Sequence, residues 1–140
     1  MEKILVPVDG SDASAHAAAW ASAYAARNGA ELVLLHVHHS PGSETLALAS
    51  LSAAEIAESE RLIAGPSFDK ARQRIGGNVG VRTLVSIGEP ADEICAIARR
   101  EAADLIVMGS RGLSPVRELL LGSVSEKVIH HAHCAVTVVR

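Results

Sequence analysis

A chain of 140 residues that is 49% hydrophobic and only 2% aromatic must build its core from alanine, valine, leucine and isoleucine. That length suits one domain over residues 1–140, with a core large enough to fold without disulfide bonds. A net charge of -3 without a dense basic cluster disfavours nucleic-acid binding, and no apolar run reaches the roughly 18 residues that cross a membrane.

The first half of the chain predicts two strands and two helices. Residues 4–8 and 31–37 predict strands, and the second is continuously apolar from Leu32 to Leu35, as buried parallel strands are. Residues 11–27 predict a helix that ends at Asn28-Gly29. Residues 40–43 read as a loop, and residues 46–75 read as a helix that Gly65-Pro66 should break or kink, because proline lacks the amide hydrogen. One face of the first helix is predicted to carry Ala13, Ala17, Trp20, Ala21 and Tyr24.

The second half alternates in the same way. Residues 81–86 predict a strand, and Pro90–Arg100 predicts a helix with proline and acidic residues in its first turn and two arginines in its last. Residues 105–108 form another apolar run, 123–132 a helix, and Ala135–Val139 a final strand. Strands that alternate with helices predict an α/β fold, an open parallel five-stranded sheet with helices on both faces.

The strand order of such a sheet must reverse somewhere, and ligands bind at the carboxyl ends of the strands at that point. With the order 3-2-1-4-5, the reversal lies between the first and fourth strands. Two loops then meet there, residues 7–11 and the segment that follows the fourth strand.

That second segment, residues 109–125, carries three glycines at a defined spacing: Gly109, two residues, Gly112, nine residues, Gly122, and then Ser123. Glycines allow close approach and positive φ, and the amides of a new helix attract anions, so the segment predicts a phosphate site. Ser123 and Glu126 match a capping box. The alternative is that the glycines only serve turns and that Ser123 is only an N-cap.

The chain resembles the universal stress protein family, and in particular its ATP-binding branch. The matching segments are residues 4–11 (ILVPVDGS), 34–37 (LLHV), 88–90 (GEP), 104–112 (DLIVMGSRG), 121–125 (LGSVS) and 136–140. The glycine spacing is the most specific of them. His133 and Ala135 stand where the family often has proline, which bears on the dimer edge.

The resemblance implies a Rossmann-like fold of the adenine nucleotide alpha hydrolase type and a homodimeric, nucleotide-dependent stress-response protein that binds ATP with Mg²⁺ on the phosphates. Pro7, Val8 and Asp9 would face the adenosine, and Val37 would flank the adenine. The rest of the implied site comprises Met108, Gly109, Arg111, Gly112, Gly122, Ser123, Val124 and Ser125.

Other interpretations of the same residues stay open. Asp9 could be a turn or capping carboxylate. The group His130, His131, His133 and Cys134 suggests a metal site, although neighbouring helical residues point apart.

Three functions also stay open. The nucleotide could be an effector, the substrate of a slow ATP hydrolase, or absent from a dimeric scaffold. Because the chain lacks a Walker lysine motif, a kinase catalytic set and a Ser-Gly-Gly-x-Asp-Ser loop, we expect no dedicated enzyme.

Two isolated cysteines and an N-terminus without a signal-peptide layout lead us to expect a cytoplasmic protein whose thiols are unpaired and unreactive. The last strand, Ala135–Val139, is an apolar sheet edge without lysine or proline. We therefore expect it to be covered by a second copy in a homodimer.

Overall fold

The computed structural model of the chain describes residues 2–39, 50–110 and 121–140. The described ranges contain five strands that alternate with four helices. In chain order they are β1 (Lys3–Pro7), α1 (Asp12–Asn28), β2 (Glu31–His38), α2 (Ala53–Arg72), β3 (Val81–Ile87), α3 (Pro90–Arg100), β4 (Leu105–Gly109), α4 (Ser123–His131) and β5 (Ala135–Val139).

All five strands form one parallel sheet in the order β3-β2-β1-β4-β5, which confirms the predicted topology. Strand β1 is central and pairs on both sides: Ile4 lies opposite Leu32 of β2 and Leu105 of β4. The chain therefore leaves β1 in one direction along the sheet and returns to its other side through β4. The carboxyl end of β1 is the point at which the strand order reverses.

Alternating side chains of the strands form two apolar cores, one on each face of the sheet. Ile4 and Val6 contribute to a core with α1 and α2, whereas Leu5 contributes to a core with α3 and α4. Side chains of the central strands are completely buried, which explains why they appear in the sequence as continuous apolar runs.

Helix α1 packs through small residues, so the predicted apolar face is buried only in part. Ala17 and Ala21 are buried, but Trp20 is 40% exposed and stacks on Tyr24, with ring centroids 5.6 Å apart. Alanine and serine occupy the buried positions because they let the helix approach the sheet closely. Gly29 ends the helix in the left-handed conformation, at φ 66°.

Helix α2 runs without a break through Gly65-Pro66, so the break considered above is wrong, while the kink stays a prediction. Its first turn is fixed by a capping box between Ser52 and Glu55, and Ala64 and Ser67 are buried on either side of the proline. Tertiary packing thus outweighs the local cost of proline. The predicted loop at residues 40–43 and the start of the predicted helix lie outside the described residues.

None of the helices in the described ranges has both the length and the apolar character that crossing a bilayer requires.

Both cysteines are free thiols, as expected, and both are half-buried against the core that contains α3 and α4. Burial raises the pKa of Cys95 and of Cys134, because the thiolate is poorly solvated there. A raised folded-state pKa stabilises the fold below the ordinary thiol pKa. That contribution is lost as the pH rises through the folded-state value.

We therefore predict that alkylation of both thiols at pH 8 is slower in the folded protein than in urea, roughly severalfold. The measurement is the mass increase with time under a thiol reagent. An intramolecular disulfide in protein prepared without reductant, or equal rates in the two states, would contradict this prediction.

Candidate functional site

A cleft of about 250 Å³ opens at the carboxyl end of the sheet, where β1 and β4 diverge. Its lining combines apolar side chains with hydroxyl groups, a carboxylate and two glycines. The apolar lining consists of Pro7, Val8, Leu35, Val37, Pro90, Ile94, Met108 and Val124; the rest consists of Asp9, Ser14, Gly109, Gly122, Ser123 and Ser125.

The cleft brings together every predicted site residue that the structure describes; Arg111 and Gly112 lie outside the described residues. Sequence reasoning missed Ser14, Leu35, Pro90 and Ile94. Two of these had a readable signal: Leu35 lies two residues before Val37 on the same side of β2, and Ile94 follows Pro90 by one helical turn.

The loop after β1 is held from several directions. The Val8 amide donates to the Leu35 carbonyl at 2.8 Å, and His36 Nδ1 lies 2.9 Å from the Val8 carbonyl oxygen. Asp9 Oδ1 accepts from both the amide and the hydroxyl of Ser11. Asp9 therefore has the turn role considered above while it also lines the cleft.

Gly109 ends β4 where α1 passes closest to the strand. A Cβ atom there would lie 2.9 Å from the carbonyl carbon of Ala13 and 3.0 Å from its Cβ. The φ of Gly109 is not positive, so packing against α1, rather than backbone conformation or a ligand, already requires glycine at this position.

Helix α4 begins one residue earlier than the capping-box interpretation required, which corrects the prediction for Ser123. Gly122 is the N-cap, at φ -73° and ψ 162°, and no side chain caps this end of the helix. Its amide donates to the Ser110 carbonyl at 2.6 Å. Ser123 is the first helical residue, so its hydroxyl has no capping role, and the residue lines the cleft.

Ser125 fixes the direction of this helix start. Its hydroxyl is buried and donates to the Gly109 carbonyl at 2.8 Å, which ties the first turn of α4 to the end of β4. The same hydroxyl proton is then unavailable to a ligand, so Ser125 acts as a positioning residue and can donate to a ligand only through its amide.

The helix starts around the cleft differ in how they are capped. Ser11 accepts from the Ser14 amide at the start of α1, and Glu89 accepts from the Asp92 amide at the start of α3, which lowers the pKa of Glu89. The first amides of α4 have no intrahelical acceptor and no side-chain cap. This end of α4 is therefore suited to an anion, beside a wall suited to an apolar ring.

The described residues contain no cluster of three or more histidine, cysteine or acidic side chains that could hold a metal ion. The rings of His130 and His131 lie 6.5 Å apart and are tilted by 56°. The histidines considered as ligands therefore do not converge with Cys134.

Comparisons with known proteins agree on one family. The model of the family described as "Universal stress protein family" matches residues 1–140. Universal stress protein YxiE of Bacillus subtilis is 36% identical over 99% of this chain and 98% of its own length. Among solved structures, the universal stress protein UspA from Lactobacillus plantarum superimposes with a TM-score of 0.79 at 32% identity, over 99% of this chain and 97% of that one.

A second solved neighbour is a universal stress protein in complex with cAMP. It is 27% identical, with a TM-score of 0.72 over 99% of this chain and 97% of that one. That neighbour binds an adenine nucleotide.

Replacing Gly109 by alanine should destabilise the fold even without a ligand, because the new methyl group overlaps the backbone of α1. We expect a loss of about 1–3 kcal/mol in the free energy of unfolding, measured in urea. The matched control is Gly77→Ala, because a Cβ atom at that position meets no atom within 4 Å. This substitution should change the free energy of unfolding by only about 0.5 kcal/mol. Equal stability of the two variants would show that the contact with α1 does not require glycine at position 109.

Proposed function

The chain belongs to the universal stress protein family, and on that premise we propose that its cleft binds an adenine nucleotide, with ATP as the ligand and a regulatory role for the complex.

The observation that carries this proposal is the uncapped start of α4. In the described residues, α1, α2 and α3 each have a side chain that accepts from an early amide, whereas the N-cap of α4 is Gly122, which has no side chain to do so. A phosphate group would accept from the amides of Ser123, Val124 and Ser125. It would also gain from the positive end of the helix dipole.

The remaining walls fit the rest of the ligand. Val37 and Ile94 offer apolar contacts to a purine ring, and Asp9 offers carboxylate oxygen to ribose hydroxyl groups. Arg111 and Gly112 complete the predicted phosphate contacts. Mg²⁺ would be coordinated mainly by the phosphate oxygens of ATP, since the described residues supply no acidic cluster.

We propose that the nucleotide acts as an effector. The hydroxyls and the carboxylate that line the cleft are engaged in local hydrogen bonds or stand at a helix start: Asp9 accepts from Ser11, and Ser125 donates to Gly109. Neither geometry activates a water molecule for attack on a phosphate. Any hydrolysis would be slow and incidental to regulation.

The test compares two substitutions at the start of α4. Gly122→Val should abolish ATP binding in calorimetry, because the branched side chain occupies the phosphate position. Since φ is -73° at Gly122, valine brings no backbone strain and the fold should persist. Ser123→Ala should weaken binding only a few-fold to tenfold, because one hydroxyl contact is typically worth about 0.5–1.5 kcal/mol.

Circular dichroism of both variants is the control for folding. If folded Gly122→Val binds ATP like the parent, the phosphate assignment is wrong. If the parent protein also carries no nucleotide when it is purified and denatured for chromatography, the protein is better described as a scaffold that does not use nucleotide.

We also propose that the protein acts as a homodimer through β5. Strand β5 lies at the end of the sheet, with Val136 and Val138 only half-buried. The Ser110 amide donates to the Val139 carbonyl, so alternate residues of β5 face β4, and the backbone of Val136 and Val138 points to the open edge. Antiparallel pairing with a second copy would satisfy those groups.

For this reason Val138→Pro should convert the dimer to a monomer while preserving the β4–β5 ladder, because it removes only an outward amide. Val138→Thr keeps that amide and should remain dimeric. Light scattering at micromolar concentration measures both. A parent that is monomeric, or a proline variant that is dimeric, argues against pairing through this edge.

A further inference from the structure

His36 lies on the opposite face of the sheet from the cleft. Successive residues of a strand face opposite sides, and Leu35 and Val37, which line the cleft, belong to the core with α3 and α4. The ring of His36 instead meets the ring of Phe68 of α2 edge-on, with centroids 6.3 Å apart. His36 does not line the cleft, so any effect that it has on a ligand passes through another residue.

From this position His36 holds a backbone group of the loop after β1. Its Nδ1 atom lies 2.9 Å from the carbonyl oxygen of Val8, and Val8 is only 2% exposed. The pairing of β1 with β2 ends at Pro7 and Leu35. Among the hydrogen bonds between described residues, only the one from His36 reaches this oxygen. Because water has little access to so buried a residue, the carbonyl depends on the imidazole for its donor.

The same contact determines which ring nitrogen of His36 carries the proton. A carbonyl oxygen can only accept, so Nδ1 must be protonated, and in the neutral ring Nε2 must then be unprotonated. Histidine in water favours the other tautomer. A neutral ring protonated at Nδ1 is therefore a distinguishing property of a histidine that donates to Val8.

A second side chain holds the same loop, but water can take its place. Lys70 of α2 donates to the Gly10 carbonyl at 3.1 Å and pairs with Asp12 at 2.7 Å. The Lys70 side chain is 41% exposed and that of Asp12 is 97% exposed, so both are well solvated. Both loop carbonyls thus accept from side chains outside the cleft, and the one that water cannot easily reach is that of Val8.

We propose that His36 is a positioning residue for the adenosine side of the ligand, through its hydrogen bond to Val8. This inference rests on the nucleotide binding proposed above, in which Pro7, Val8 and Asp9 face the adenosine. Without a donor at position 36, the Val8 carbonyl turns toward water in the free protein, and the three loop residues leave the arrangement that lines the cleft. A nucleotide must restore that arrangement when it binds, so its affinity falls.

Two substitutions separate the hydrogen bond from the packing of the ring. His36→Asn keeps a donor at the δ position and loses the aromatic ring, whereas His36→Phe keeps a ring beside Phe68 and loses the donor. In calorimetry, we expect His36→Phe to bind ATP roughly tenfold more weakly, because a buried carbonyl loses its partner, and His36→Asn to stay within about threefold of the parent. His16→Leu removes a histidine from an exposed part of α1 that does not line the cleft, and should bind like the parent.

The tautomer is measured in the parent protein without a ligand. Long-range proton–nitrogen correlation spectra, recorded at a pH where the ring is neutral, should show a protonated Nδ1 and an unprotonated Nε2 for His36. The signals that disappear in His36→Asn identify this ring. Circular dichroism is the control for folding, and His36→Leu, which also lacks a donor, replaces His36→Phe if the larger ring prevents folding.

Three results would overturn the inference: a neutral His36 ring protonated at Nε2, a folded variant without the donor that binds ATP like the parent, or a His36→Asn variant that loses as much affinity as His36→Phe. Failure of the proposed function looks different. In that case the parent itself binds no ATP, and the inference falls with the proposal on which it rests.

Discussion

The end of β4 is the point on which the rest of this site depends. Gly109 allows α1 to approach within contact distance of the strand, and its carbonyl accepts from Ser125 at the start of α4. Ser110 then accepts from Gly122 and donates to Val139 of β5. Two residues thus fix two helices and one strand relative to each other, and the cleft exists because those elements diverge from a single point.

The reversal of strand order at β1 places the end of β4 beside the cleft. Because β1 pairs with β2 on one side and β4 on the other, the carboxyl ends of β1 and β4 lie side by side with no strand between them. The helix starts that gather there are not equivalent, since side chains satisfy those of α1 and α3 while α4 keeps its donors. The strand topology creates the cavity, and the capping of each helix start determines which part of the cavity attracts an anion.

The sequence predicted most of the fold, because buried parallel strands appear as continuous apolar runs and proline marked the start of α3. It was less informative where alanine is abundant: the pattern puts Trp20 on one face of α1 with Ala17 and Ala21, yet Trp20 is exposed, because close packing on the sheet favours the smaller residues. At Pro66 the sequence left a break or a kink open, and the break is wrong, because burial of the flanking residues outweighs a local defect. Ser123 was misassigned because a capping-box pattern does not show whether glycine, one residue earlier, takes the N-cap position.

In a lineage whose proteins no longer use the cleft, one of the two glycines that flank it would be retained and the other could be replaced. Gly109 would persist, because any larger residue collides with α1 whether or not the cleft is occupied. Gly122 has an ordinary φ, so nothing in its backbone conformation would oppose replacement by another residue. Conservation of glycine at position 109 would therefore reflect a requirement of folding. Only conservation of glycine at position 122 would reflect selection on the cleft.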